Sequence, residues 1–98
     1  MNILTLDFFA PHVNTIFTAL LDGGLEFPLT LAEANPLKSY PFPGQLREPF
    51  DLRFHGENSI LLHQMIHRLR HEVLGDLEIF LVPIGEEAGH YIYQAVFN

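Results

Sequence analysis

The sequence predicts an all-β domain of about six antiparallel strands, curled into a small barrel or tight sandwich, with a short N-terminal helix closing one end. Two observations carry most of that expectation. Apolar residues recur with period two through several short runs, and polar stretches bearing Gly or Pro punctuate those runs as hairpin turns do. Two further runs, 77–84 and 91–97, are apolar on both faces apart from Glu78 and Gln94, as expected of central strands covered on both sides.

Taken in order, Thr5 to Ala10 forms the short helix, with Thr5 as N-cap and Asp7 in the first turn; Pro11 stops it. From Thr15 the period becomes two, with Phe17, Ala19 and Leu21 on one face. Asp22-Gly23-Gly24 is a turn, and Leu25, Phe27, Leu29 and Leu31 then alternate with Glu26, Pro28, Thr30 and Ala32. Pro28 cannot donate to a ladder, which predicts an edge strand or a bulge there. Residues 35–49 carry Pro36, Pro41, Pro43, Gly44 and Pro49 and form a long irregular loop, which either displays Tyr40 and Phe42 as candidate interaction residues or folds back over an open end of the core. Phe50, Leu52 and Phe54 then point inward and Asp51, Arg53 and His55 outward, and Gly56 ends that strand. Gly85 to Gly89 joins the last two strands as a polar turn.

At 98 residues the chain holds one β domain, 1–98, and lies above the size at which disulfides or structural metals are usually needed. Nine Phe and three Tyr in a 48% hydrophobic, 17% charged composition supply an apolar core and exclude disorder for the whole chain. With no cysteine there is no disulfide, thiolate nucleophile or Cys-based zinc site. Asp7 interrupts the short apolar run of 1–11 and no basic leader precedes it, so no secretory signal is expected. No apolar run approaches the roughly 18 residues that span a bilayer. The expectation is a soluble, cytoplasmic protein without a membrane partner. Net charge is −7 with only five basic residues, which removes the electrostatic term for phosphate backbones and makes nucleic acid an unexpected partner.

His63, His67 and His71 stand four residues apart. In a helix capped by Asn58 or Ser59 and ended by Gly75, His63 and His67 lie about 5–6 Å apart at Cβ, close enough to share an ion. In a strand from Met65 to His71, a rise of about 3.3 Å per residue puts His67 and His71 about 13 Å apart, beyond the reach of one ion. Periodicity alone leaves both alternatives open.

The chain resembles a family of small bacterial proteins of unknown function, the DUF6916 type. The resemblance covers nearly the whole chain and rests on Leu4-Thr-Leu-Asp-Phe-Phe-Ala-Pro11, Pro49-Phe-Asp-Leu-Arg-Phe-His-Gly56, His71-Glu-Val-Leu-Gly75, Phe80-Leu-Val-Pro-Ile-Gly85 and Tyr93-Gln-Ala-Val-Phe-Asn98. In the family pattern Gln64, Leu69 and His71 match, whereas His67 stands where an aromatic is expected and His63 where Pro is common. This implies a strand at 65–71 entered from a loop, with His71 part of the scaffold and His63 and His67 peculiar to this chain. It also implies phage-tail-like or fibre-protein surroundings for relatives.

The strands are then expected near residues 14–21, 25–34, 49–55, 65–71, 76–84 and 91–97. The expected core is Phe17, Leu29, Leu31, Phe50, Leu52, Phe54, Leu69, Phe80, Val82, Tyr93 and Phe97. No catalytic arrangement is visible: Ser39 and Ser59 lie outside any nucleophile elbow, Asp51 and His55 are about 13 Å apart along one strand, and no Gly-rich phosphate loop occurs. The expected function is a non-enzymatic, cofactor-free interaction or assembly module whose partner is another protein or the chain itself. The alternative is a transition-metal protein using His63 and His67 with a carboxylate or another histidine such as His71.

Overall fold

The computed structural model describes residues 4–98; the first three residues of the 1–11 stretch, on which the leader expectation partly rests, lie outside the described residues. A one-turn helix α1 (Leu6–Phe9) runs into a 3-10 turn over Ala10–His12. Thr5 stands at the N-cap but makes no side-chain cap. Six strands follow: β1 (Ile16–Leu20), β2 (Glu26–Pro36), β3 (Phe50–Glu57), β4 (Met65–His71), β5 (Gly75–Glu87) and β6 (His90–Phe97). All neighbouring pairs are antiparallel, and the sheet closes as a barrel in the order β1-β2-β3-β6-β5-β4. Of barrel and sandwich, the barrel forms. Among the described residues no helix is long and apolar enough to cross a membrane.

Residues 65–71 are strand, in register with β1 (Phe17 opposite His71, Leu20 opposite Arg68) and with β5 (His67 opposite Ile79, Leu69 opposite Leu77). β1 begins at Ile16 rather than residue 14 because Asn14 adopts a positive φ of 74°, although its N–H still donates to the Leu31 carbonyl. β2 is not an edge strand, and its register shift falls between Leu31 and Glu33, not at Pro28. Pro28 is tolerated because it pairs with Thr18 of β1, while the ladder to β3 starts one residue later at Leu29.

The interior is filled by Phe17, Leu29, Leu31, Phe50, Leu52, Phe54, Leu69 and Tyr93, as expected, together with Ile79, Leu81 and Ala95. Phe80 and Val82 were expected inside, yet Phe80 is 49% exposed and Val82 only half-buried; Phe97 is also half-buried. In a strand apolar on both faces alternation carries no information about direction. The register with β4, pinned at the His71–Gly75 turn, puts Ile79 and Leu81 inward. Nor are β5 and β6 fully covered on their outer side among the described residues, where Phe80, Ile84 and Val96 are exposed and Ile92 and Gln94 half-buried.

Gly56 does not end β3 but sits inside it, where an added Cβ would lie 2.6 Å from Leu29 Cδ2 and 3.0 Å from Phe27 Cε2. The β5–β6 turn is tighter than expected, only Ala88-Gly89 with φ of 50° and 85°.

The register defines two barrel ends. At the lower end β2 finishes beside the start of β3 (Pro36 opposite Phe50), and β6 finishes there too (Phe50 opposite Phe97). At the upper end β1 finishes (Leu20 opposite Glu26) and β4 begins.

Candidate functional site

The loop expected over 35–49 spans residues 37–49, because Asn35 and Pro36 still pair with β3. Its feet are joined by the Leu37 N–H donating to the Pro49 carbonyl at 3.0 Å. Arg47 anchors it: Nη1 donates to the Leu4 carbonyl at 2.9 Å, Nε to the Asn98 carbonyl at 3.0 Å, and the guanidinium lies 5.3 Å from the Phe97 ring centroid. The interior of the loop is tied by the Gln45 N–H to the Phe42 carbonyl at 3.1 Å and by Gln45 Nε2 to Ser39 Oγ at 3.3 Å. This arm holds Tyr40 71% and Phe42 60% exposed, with Lys38 Nζ 5.3 Å from the Tyr40 ring centroid.

At the upper end an open cleft of about 720 Å³ lies between the end of β1 with its following turn, the 60–63 segment and the first residues of β4. Leu62 dips from that segment into the barrel and is buried, and its N–H donates to the Tyr93 hydroxyl at 3.0 Å. Burial raises the Tyr93 phenol above its ordinary range, which keeps it neutral.

Both His63 and His67 line this cleft. The buried His67 donates from Nε2 to the His63 carbonyl at 2.8 Å, so one of its nitrogens is committed to backbone. His71 lies at the other end of β4. Among the described residues no three His, Cys, Asp or Glu side chains converge on a point that could hold a metal ion.

His71 is buried at the lower end, where it organises the β4–β5 turn. The N–H groups of Val73 and Leu74 donate to its Nδ1 at 3.0 and 3.1 Å. Nδ1 therefore carries a lone pair, and Nε2–H donates to Thr15 Oγ1 at 2.9 Å, whose hydroxyl donates in turn to the His12 carbonyl at 2.6 Å. Burial, and then the His12 ring at 4.7 Å, lower the His71 pKa against the opposing pull of Glu72. The imidazole is a neutral scaffold group with both nitrogens in use.

Apart from the Asn98 carbonyl that Arg47 holds, the residues that build the arm, the cleft and the His71 turn lie within 4–97, the span matched by the family model described as a domain of unknown function (DUF6916). The chain belongs to that family. No curated protein and no solved structure matches it.

The outer wall of this DUF6916 barrel holds three features that sequence reasoning did not foresee. Asp51 points outward as expected yet is only 3% exposed, receiving Gln94 Nε2 at 2.8 Å and lying 3.6 Å from Arg53 Nε. His55 stacks on His90 of β6 at 4.3 Å; burial and then His90 lower its pKa, while Glu87 and Glu33 oppose them. Ile66 of β4 sits directly across from Phe80 of β5, both exposed, an apolar pair adjoining the cleft. None had a local signature, because each is assembled across strands.

Proposed function

We propose that this chain is a non-enzymatic, cytoplasmic assembly module that binds another protein, or a second copy of itself, through the aromatic side chains of its 37–49 arm. The observation that supports this is the exposure of Tyr40 and Phe42 on an arm anchored by Arg47 to Leu4 and Asn98. Arg47 and the joined feet hold the arm at the lower rim, and the barrel interior is already filled. Large aromatics bury roughly 150–250 Å² each when covered, and they are enriched among residues that dominate binding. Pro41 and Pro43 restrict the backbone on either side of Phe42, so less conformational freedom is lost on docking. A phage-tail or fibre assembly, the setting implied by the family resemblance, is one place such a module serves.

The metal alternative has less behind it, because His67 Nε2 bonds to a backbone carbonyl and, among the described residues, no group of three ligand side chains converges. Native mass spectrometry of the untagged protein, released gently from its source, tests both readings. A partner mass or defined oligomer that disappears in a Tyr40→Ser/Phe42→Ser variant is the expected result. A bare monomer for both proteins ends the interaction reading, and a stoichiometric metal adduct lost in His63→Ala/His67→Ala replaces it.

A further inference from the structure

We infer that the arm of one copy docks in the upper cleft of another, joining copies of this chain head to tail. The inference rests on the interaction reading above and names its partner: the occupant of the cleft is the Lys38–Phe42 stretch of a second copy.

The first support is where the two features lie. The arm leaves the barrel at the Pro36–Phe50 end, and the cleft opens at the Leu20–Arg68 end. A loop of residues 37–49 with joined feet reaches half its contour, about 20 Å at roughly 3.3 Å per residue. β2 runs from Glu26, opposite Leu20 at the cleft, to Pro36 at the foot of the arm, a length of about 33 Å at roughly 3.3 Å per residue. With Arg47 also holding the arm to Leu4 and Asn98, a chain cannot fill its own cleft. A neighbouring copy meets no such limit.

The second support is chemical match. Leu61, Met65 and Ile66 give the cleft exposed apolar walls, and Asp22 and Glu78 stand on its rim. Arg68 lies 3.7 Å from Glu78, which leaves Asp22 with no ion-pair partner among the described residues. The arm offers the complement: Tyr40 and Phe42 for the walls, and Lys38, which has no carboxylate within 4 Å among the described residues, for the rim. Although each copy carries −7, repulsion between whole chains is screened beyond about 8 Å at physiological ionic strength, whereas contact pairs are not. A volume of about 720 Å³ also falls inside the roughly 300–1,000 Å³ range of pockets that enclose a compact ligand.

Size sets the strength. Two aromatics that are already partly covered, with Pro41 and the Lys38 stem, bury on the order of 300 Å² per partner, well short of the roughly 800 Å² of a standard stable interface. The contact is therefore weak and concentration-dependent. Since it joins two different surfaces, it leaves a free arm at one end and a free cleft at the other, and copies add in a row unless the rotation closes a ring.

Sedimentation velocity across a concentration series tests this on the purified full chain, on Tyr40→Asp/Phe42→Asp, on Leu61→Arg, and on an equimolar mixture of the two variants. The substituted side chains are exposed, and far-ultraviolet circular dichroism checks that each variant folds; Leu61→Ser takes the place of Leu61→Arg where that spectrum changes. The expected result is association of the unaltered chain, weakened roughly 30-fold or more in each variant alone, with a discrete dimer returning in the mixture. The dimer returns because one variant keeps its cleft and the other its arm. A monomer at every concentration, association undiminished by the arm substitutions, or a mixture that stays monomeric each overturns the head-to-tail contact. If the source-derived protein still shows a partner mass lost in Tyr40→Ser/Phe42→Ser, only this inference has failed and the interaction reading stands.

Discussion

The two ends of the barrel are closed by different means. At the lower end α1 drives Phe9, fully buried, between Phe17, Phe50 and Phe97, with ring centroids 5.7–6.4 Å away. His71 ties the neighbouring turn there, and Arg47 fastens the arm over the rim. The upper end is plugged by Leu62, whose N–H bonds to Tyr93, with His67 bonded to the His63 carbonyl and Asn58 to Gly89 and Glu86 around it, and beside them the cleft stays open. A closure made of few contacts opens at lower free energy than one made of many. The end with fewer contacts is thus the one suited to receiving a partner, and the tightly closed end is suited to presenting a rigid arm.

The largest effect that tests this contrast is Phe9→Ala. Removing an aromatic ring from a fully buried site costs about 3–5 kcal/mol, read as a lowered urea midpoint. At the upper end Leu62→Ala costs about 2–3 kcal/mol, since the adjoining cleft lets the site relax, and Tyr93→Phe costs about 1–2 kcal/mol by leaving the Leu62 N–H without its acceptor. An upper-end loss equal to that of Phe9→Ala would erase the contrast.

A pH titration sharpens it further. The folded-state pKa of His71 lies below its ordinary value of 6.5, so above that value its contribution to stability is fully present. As the pH falls below 6.5 the unfolded chain binds a proton that the folded ring resists, and stability declines until the lowered folded value is passed. His55 is shifted in the same direction, so His71→Gln flattens the slope below pH 6.5 without abolishing it. An unchanged slope would show that the His71 turn does not sense protons. The smallest effect belongs to Arg70→Ala: the Arg70–Asp76 pair at 2.9 Å is solvent-exposed, and its loss leaves the thermal midpoint unchanged.

How much of this was legible in the sequence differed by element. The alternation of Phe50, Leu52 and Phe54 with polar neighbours placed β3 and its inner face correctly, because one side of the pattern was polar. β5 offered no such contrast, and its face was set by pairing with β4, where Ile79 lies opposite His67 and Leu81 opposite Met65. The strand at 65–71 was equally compatible with a helix by periodicity and became readable only through the family resemblance. The prolines announced the arm, and Tyr40 and Phe42 are displayed on it. The cleft had no signature, since its walls come from the end of β1, the 60–63 segment and β4. Nothing local marked Arg47, whose role depends on carbonyls 43 and 51 residues away.

That a single guanidinium touches both Leu4 and Asn98 makes the described chain nearly a ring in space. A short peptide joining those residues, with the backbone cut at Ala88–Gly89, would give a circular permutant that keeps all six strands in place. Its new ends would emerge at the tip of the β5–β6 hairpin, so a fluorophore or tether could be carried there without crossing the arm.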